Sequence, residues 1–373
     1  MKPRALTPES LSIVVPPGDT IREHLKSARM SQVDLAERTG IDKKTINLVI
    51  KGNAPVTQDT AIALERVFES PASFWLSLEA NHQASIAANK QKKSLAAYVT
   101  WMKEFPYAEM VKAKWVEAAT NPEDRVDQLL KFFKVTTPES WEKVYGDQNY
   151  CASYRKSPAV KGNLSIVSAW LRRGEIIAEK QSSDIESDFD EQKFKAALFK
   201  IRKLTALKKF EEINPRLIEY CNSAGVAYAA TREIPKLGVN GAMRWFGKRP
   251  VIQQTLRGKS HDVFWFTFYH EAWHVLQKQK KRLFLEGDSV CDEDQIREAE
   301  ADVMAGEFLI PQTSYVQFLS ETPTKSVQAV RDFAAKIDIH PGIVVGRLQK
   351  EGRLRWQAVA HNRLKDKLEW PTD

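Results

Sequence analysis

The sequence predicts a mainly α chain with a small β-sheet, an α+β fold in which an all-α N-terminal region and a helical middle precede a mixed C-terminal region. Three observations carry this. Short, capped helical segments crowd residues 18–80, and apolar residues recur at helical spacing through much of 95–215. Two β-type runs, "GVAYAATREI" and "PVIQQTL", bounded by Gly225, Pro235, Gly247 and Pro250, then precede a long apolar helix.

From the N-terminus, "TIREHLKSARM" sets Ile21, Leu25 and Ala28 on one face of a first helix. "SQVDLAERTG" follows, with Ser31 as N-cap, Gly40 as stop, and Val33, Leu35 and Ala36 as packing residues. "IDKKTINLVIKG" restarts at Asp42, turns Ile46 and Val49 inward and ends at Gly52. "TQDTAIALERVF" and "PASFWLSLEANHQ" complete the group, and "NHQASIAANKQKK" is a polar, basic linker or an exposed helix end. The expected organisation is a domain at 1–83, a helical linker or middle region at 84–215, and a domain with a helical tail at 216–373. The middle breaks at Pro106, Pro122, Pro138 and Pro158. In the last region a helix starts near Asp262, a loop surrounds "EGDSVCDED", and a second helix runs from about Glu293 to Leu309, where Pro311 stops it. The tail includes the basic "GRLQKEGRLRW", and no internal repeat is legible.

Composition sets outer bounds. A chain of 373 residues has room for two or three domains. Hydrophobic content of 43% with 28% charged residues is ordinary for a globular chain. No run approaches the ~18 unbroken apolar residues of a membrane span. The N-terminal stretch, its one apolar patch cut by Pro16 and Pro17, lacks the design of a signal peptide. Cys151, Cys221 and Cys291 are scattered and odd in number, which argues against a disulfide framework and for a reducing, cytoplasmic location. The net charge of +8 leans toward polyanionic partners.

"SQVDLAERTGIDKKTINLVIKG" has the layout of a helix-turn-helix. The second helix turns Lys43, Lys44, Thr45, Asn47 and Lys51 outward, where asparagine can read adenine and lysine can take guanine or phosphate. Gln32, at the start of the preceding helix, is placed for backbone or an adjacent base. A plain helical bundle with a solvated lysine face is the competing reading, because residues 1–80 hold ten basic and ten acidic side chains. Residues 16–83, from the "PPGDTIRE" start to the "FWLSLEAN" ending, resemble the HigA-type antitoxins of the Xre repressor group. That resemblance implies a homodimer on a double-stranded DNA operator, autoregulation and a toxin partner.

"FYHEAWHVLQ" places His270 and His274 one helical turn apart, so both imidazoles face one point, as a zinc site requires. Glu271, rotated by about 100°, points beside that position, where it can take a proton from water. Satisfied core histidines are the alternative, but the helix is apolar nearly all round, and buried imidazoles beside a carboxylate need partners. In "REAEADVMAGEFLIP", Glu298 is the chosen third ligand and Glu300 the runner-up. Asp302, one turn beyond Glu298, is placed to accept the outer N–H of a ligating histidine. Ala301, Ala305 and Phe308 can pack that helix on the first. Arg257, His261 and Tyr269 stand near in sequence as possible oxyanion donors, though ordinary structural roles are favoured for each.

"HEAWH" followed by Glu298 in "EAEADVMAGEFLIP" resembles the ImmA/IrrE-type zinc metallopeptidases, as do "KRPVIQQTLRGKSHDVFWFTFYHE" and "YRKSPAVKGNLSIVSAWLRRGEIIAE". The likeness spans roughly 150–315 and implies a gluzincin-like core, Zn2+ and cleavage of a regulatory protein substrate. Trp273 stands where the family often has Gly, and Met304 where it usually has Phe. The combined expectation is a DNA-binding transcriptional regulator carrying a zinc metallo-endopeptidase. The alternative is a non-enzymatic regulator whose zinc fold serves as a partner-binding or sensing scaffold.

Overall fold

The computed structural model describes residues 15–146, 164–181, 188–278, 284–285, 292–321 and 326–371. The expected break at Pro158, Cys151, Cys291 and most of "EGDSVCDED" lie outside these residues, as do the first 14 positions. Two compact units divide the chain, Met1–Ala97 and Tyr98–Asp373.

The first unit is all α. Its helices are α1 (Pro17–Ser27), α2 (Gln32–Thr39), α3 (Lys43–Ile50), α4 (Gln58–Phe68) and α5 (Ala72–Leu95). Ser31 and Asp34 form a reciprocal capping box on α2, and their hydrogen bonds hold the Asp34 carboxyl below the usual carboxylate range. Gly40 ends α2 at φ 71°, a left-handed conformation that suits glycine. Ile21, Leu25, Leu35, Ile46, Val49, Ile50, Leu64 and Trp75 form the core. Gly18 meets the Ile50 carbonyl so closely that a Cβ has no room, and Arg22 donates to the same carbonyl at 3.2 Å. Two expected packing residues are corrected. Ala28 is exposed because α1 ends one residue earlier, and Val33 is 41% exposed because Leu35 fixes the inward face about 200° around the helix. The polar stretch from Asn81 continues α5 as helix, so residue 83 falls inside a continuous element.

The second unit opens with α6 (Val99–Met102), α7 (Tyr107–Lys112), α8 (Pro122–Phe133) and α9 (Pro138–Tyr145). Edge-to-face contacts among Trp101, Phe105, Phe133, Trp141 and Tyr145 join α6, α8 and α9. Next come α10 (Leu164–Lys180), α11 (Glu191–Lys203) and α12 (Phe210–Asn222). The sheet has strands β1 (Ala227–Ala230), β2 (Gly241–Phe246), β3 (Arg249–Gln254) and β4 (Phe284–Leu285), in the order β1-β3-β2-β4. β1 runs parallel to β3, while β2 is antiparallel to both β3 and β4. The chain is thus mainly helical with a small sheet, as its patterning predicts.

Helix α13 (His261–Leu276) covers one face of the sheet, joining Tyr228, Met243 and Ile252 to Phe264, Trp265 and Phe268 in the main core. Helix α10 covers the other face, where Ala178 meets Ala227 and Val251. Gly174 lets Gln253 approach without a Cβ, and Glu175 binds Arg172 and Arg244 at 2.5 Å each, tying α10 to β2 through a buried ion triad. Gln181 pairs with the backbone of β1 at Tyr228, blunting that sheet edge. Helix α10, which falls in the expected middle region, therefore shares the sheet with the residues that follow.

The chain continues through α14 (Asp292–Leu309), α15 (Gln312–Glu321), α16 (Val327–Lys336), α17 (Pro341–Lys350) and α18 (Val359–Asn362). The turn between α16 and α17 and the start of α17 match those of α2–α3 at an offset of 298 residues, although α16 begins three residues earlier than that offset gives. N-cap His340 matches Asp42, left-handed Asp338 matches Gly40, and buried Val344 matches Ile46. The repeat is invisible in the sequence because half-buried polar positions of α3 become buried apolar ones in α17, such as Ile343 and Val345 for Thr45 and Asn47.

Candidate metal centre and nucleic-acid interface

Ser260 is the N-cap residue of α13, and Asp262, near which the sequence predicts the start of the helix, sits in its first turn and pairs with Lys365 at 2.6 Å. The helix buries His270, Glu271 and His274 at 3%, 0% and 0% exposure. Packing from α14 supplies the third group. Its Ala301 and Ala305 are fully buried, and such small side chains let the two helices lie close.

His270, His274 and Glu298 offer one ligand atom each within 4.8 Å of one another. The two Nε2 atoms are 3.1 Å apart, and each lies 3.2 Å from a Glu298 oxygen. The outer nitrogens decide the tautomers. Nδ1 of His270 faces Asp302 Oδ1 at 3.0 Å, and Nδ1 of His274 faces Gln277 Oε1 at 2.9 Å. Gln277 Nε2 donates to Glu300 Oε2 at 2.9 Å, which fixes the amide with its oxygen toward the histidine. Both Nδ1 atoms therefore carry hydrogens, and both Nε2 lone pairs converge with a carboxylate. Three acceptors at such spacing need a cation among them, so the donor set fits a divalent ion. The local field is cation-seeking. Burial opposes a charged His270, yet hydrogen bonds to Asp302 and Glu298 raise its pKa to about 10. Burial likewise opposes a charged Glu298, whose bonds to both histidines bring it down to about 2.

Glu271 lies against β2, where a Cβ on Gly241 would stand 3.0 Å from Glu271 Oε1. Glu300, the runner-up ligand, holds Gln277 instead. Gln277 had no motif to announce it. Its signal was a position three residues past His274, at the helix end. Trp273 is half-buried beside Phe308 at 6.3 Å between rings. The three possible oxyanion donors take structural roles. Tyr269 is buried and donates to the Leu198 carbonyl, Arg257 donates to the Gly238 carbonyl, and His261 stacks on His340 with 4.1 Å between rings.

On the first unit, α3 exposes Lys43 and Lys44, with Lys51 exposed at its C-cap. Thr45 and Asn47, like Gln32 on α2, are half-buried. Ile46, Val49 and Ile50 point inward. Among the described residues no helix is long and apolar enough to cross a membrane.

Comparisons with known proteins match the first unit. A solved structure of an addiction module antidote protein of a HigA family from Coxiella burnetii is 27% identical over 22% of this chain and 91% of that chain, with a TM-score of 0.21. No curated protein matches the chain. Residues 21–75 match the family model described as Helix-turn-helix, so this stretch is an Xre-type helix-turn-helix domain, a DNA-binding module.

Proposed function

We propose that the chain is an antitoxin-like transcriptional repressor whose second unit is a zinc metallo-endopeptidase of the ImmA/IrrE kind, acting on a regulatory protein partner. The observation that carries it is the convergence of His270, His274 and Glu298 beside a fully buried Glu271. Metal holding alone has no use for that fourth group. His270, His274 and Glu298 would hold the ion, with Asp302 and Gln277 orienting the two rings. Zinc, when bound, supplies Lewis acidity to the scissile carbonyl and to water. Glu271 removes a proton from the attacking water and returns it to the departing amine, while β2 keeps its carboxylate beside the ligand helix. The first unit binds the operator as a homodimer, with Asn47 on a base edge and Lys43, Lys44, Thr45, Lys51 and Gln32 on bases or phosphates. A toxin is its expected second partner.

A second reading, a zinc-stabilised scaffold that binds a partner without cutting it, draws on Trp273, a bulky ring within the motif. Glu271→Gln separates the two. On the peptidase reading it keeps zinc and lowers the rate of partner cleavage by about 10²- to 10⁴-fold. Full regulatory output from this variant would favour the scaffold.

A further inference from the structure

The charge of the second unit is concentrated in one place. Residues 98–373 hold 43 basic and 38 acidic side chains, and residues 347–367 alone hold seven and two. The rest of the unit therefore balances, and its entire excess of +5 lies in 21 residues after the start of α17's last turn. Arg347 and Arg353 pair with Glu351, and Lys365 pairs with Asp262. Lys350, Arg355, Arg363 and Lys367 are exposed and have no carboxylate partner among the described residues.

This segment is held in shape from beneath. Gln349, 2% exposed, donates to the Arg355 carbonyl at 3.3 Å and to Asn362 Oδ1 at 2.9 Å, and Asn362 donates to the Trp356 carbonyl at 2.7 Å. The fixed loop presents Trp356 with 59% of its surface exposed, next in the chain to Arg355 and with Lys365 Nζ 5.5 Å from its ring centre. A bare indole of that size costs solvation, and its N–H is a donor with no acceptor role. Unpaired cations in one short segment with a donor-bearing aromatic match a phosphodiester backbone. Phosphate oxygens accept from Arg, Lys and indole N–H, and deoxyribose packs on the ring face. The neighbouring α17 offers no base-reading face, since Ile343, Val344 and Val345 are buried, so the surface would grip DNA without reading its sequence.

We infer that residues 350–367 form a second contact with duplex DNA, a sequence-independent phosphate clamp on the same chain as the helix-turn-helix. Duplex DNA is the occupant because the first unit already brings it to this chain. The inference does not depend on the peptidase reading.

The test uses the full chain carrying Lys43→Ala and Lys44→Ala, which weakens the helix-turn-helix contribution. Binding of a short labelled duplex of arbitrary sequence is measured by fluorescence anisotropy across a salt series. Adding Arg355→Ala with Arg363→Ala is expected to lower affinity several-fold and to reduce the log–log salt slope by about 1 to 2, near 0.9 for each phosphate lost. Arg355→Lys with Arg363→Lys should restore the slope, which separates charge from folding. Trp356→Ala should weaken binding with the slope unchanged. Absence of duplex binding by the background chain at low salt would overturn the inference, as would unchanged affinity and slope in the double alanine variant. A loss confined to single-stranded DNA would overturn the duplex assignment.

Discussion

His270 and His274 look equivalent in the sequence, but their outer partners differ, an anion for one and a neutral amide for the other. Gln277→Leu removes the amide at nearly constant size and should lower zinc affinity about 10- to 100-fold, as read by competition with a chromogenic chelator. Unchanged affinity would remove Gln277 from the support of the site. The motif itself was legible because four-residue spacing fixes a helix face, and Glu298 because it lies one turn from Asp302 beside small packing residues. Gln277 was not, since an amide near a helix end has many ordinary uses. A second histidine pair gives a pH prediction. Burial, then the facing His340, pushes His261 down to about 4, and His340 is lowered by its own burial. Asp366 and Asp262 oppose the shift at His261, and Asp366 opposes it at His340, where Lys208 adds to it. The unfolded chain takes up protons at these sites from near 6.5 downward, and the folded chain resists until about 4 at His261. Stability is therefore lost as pH falls through that window, by about 1.4 kcal/mol per pH unit for each proton. Denaturant titrations at successive pH values should show a flatter acid limb for His261→Phe. An unaltered limb would contradict the assignment.

At the scale of elements, the contact between β2 and α13 sets how close Glu271 stands to the sheet. Gly241 makes that contact possible, for a Cβ there would lie 2.5 Å from Thr267 Cγ2 and 3.0 Å from Glu271 Oε1. Gly241→Ala should cost about 1–3 kcal/mol by overpacking, seen as a lowered thermal midpoint, and Thr267→Ser in the same chain should return part of it. No change in midpoint would show that β2 and α13 can separate freely. β2 escaped the reading of the sequence because "GAMRWF" lacks period-two alternation. Its best signal was the turn at Gly247 and Lys248, which sets Phe246 opposite Arg249. The α16–α17 repeat escaped for a related reason, since buried apolar residues of α17 stand where α3 has polar ones. The first unit's helices were readable because their caps and inward residues obey local rules.

At the scale of the molecule, the roles proposed for the two units can each be tested without the other. Asn47→Ala should weaken operator binding by about 1–3 kcal/mol while leaving metal content unchanged. Equal affinity at controlled salt would count against base reading by α3. Fold class and the helix-turn-helix were legible from the sequence. The packing of α10 on the sheet was not, because helix spacing tells what a face buries but not against which element. The central claim is that three side chains from two helices hold one divalent ion, and native mass spectrometry of the intact chain after zinc loading tests it most directly. One zinc per chain is expected for the wild type and for Glu300→Ala, and none for Glu298→Ala. Full zinc retention by a folded Glu298→Ala chain, or equal loss in both variants, would contradict it.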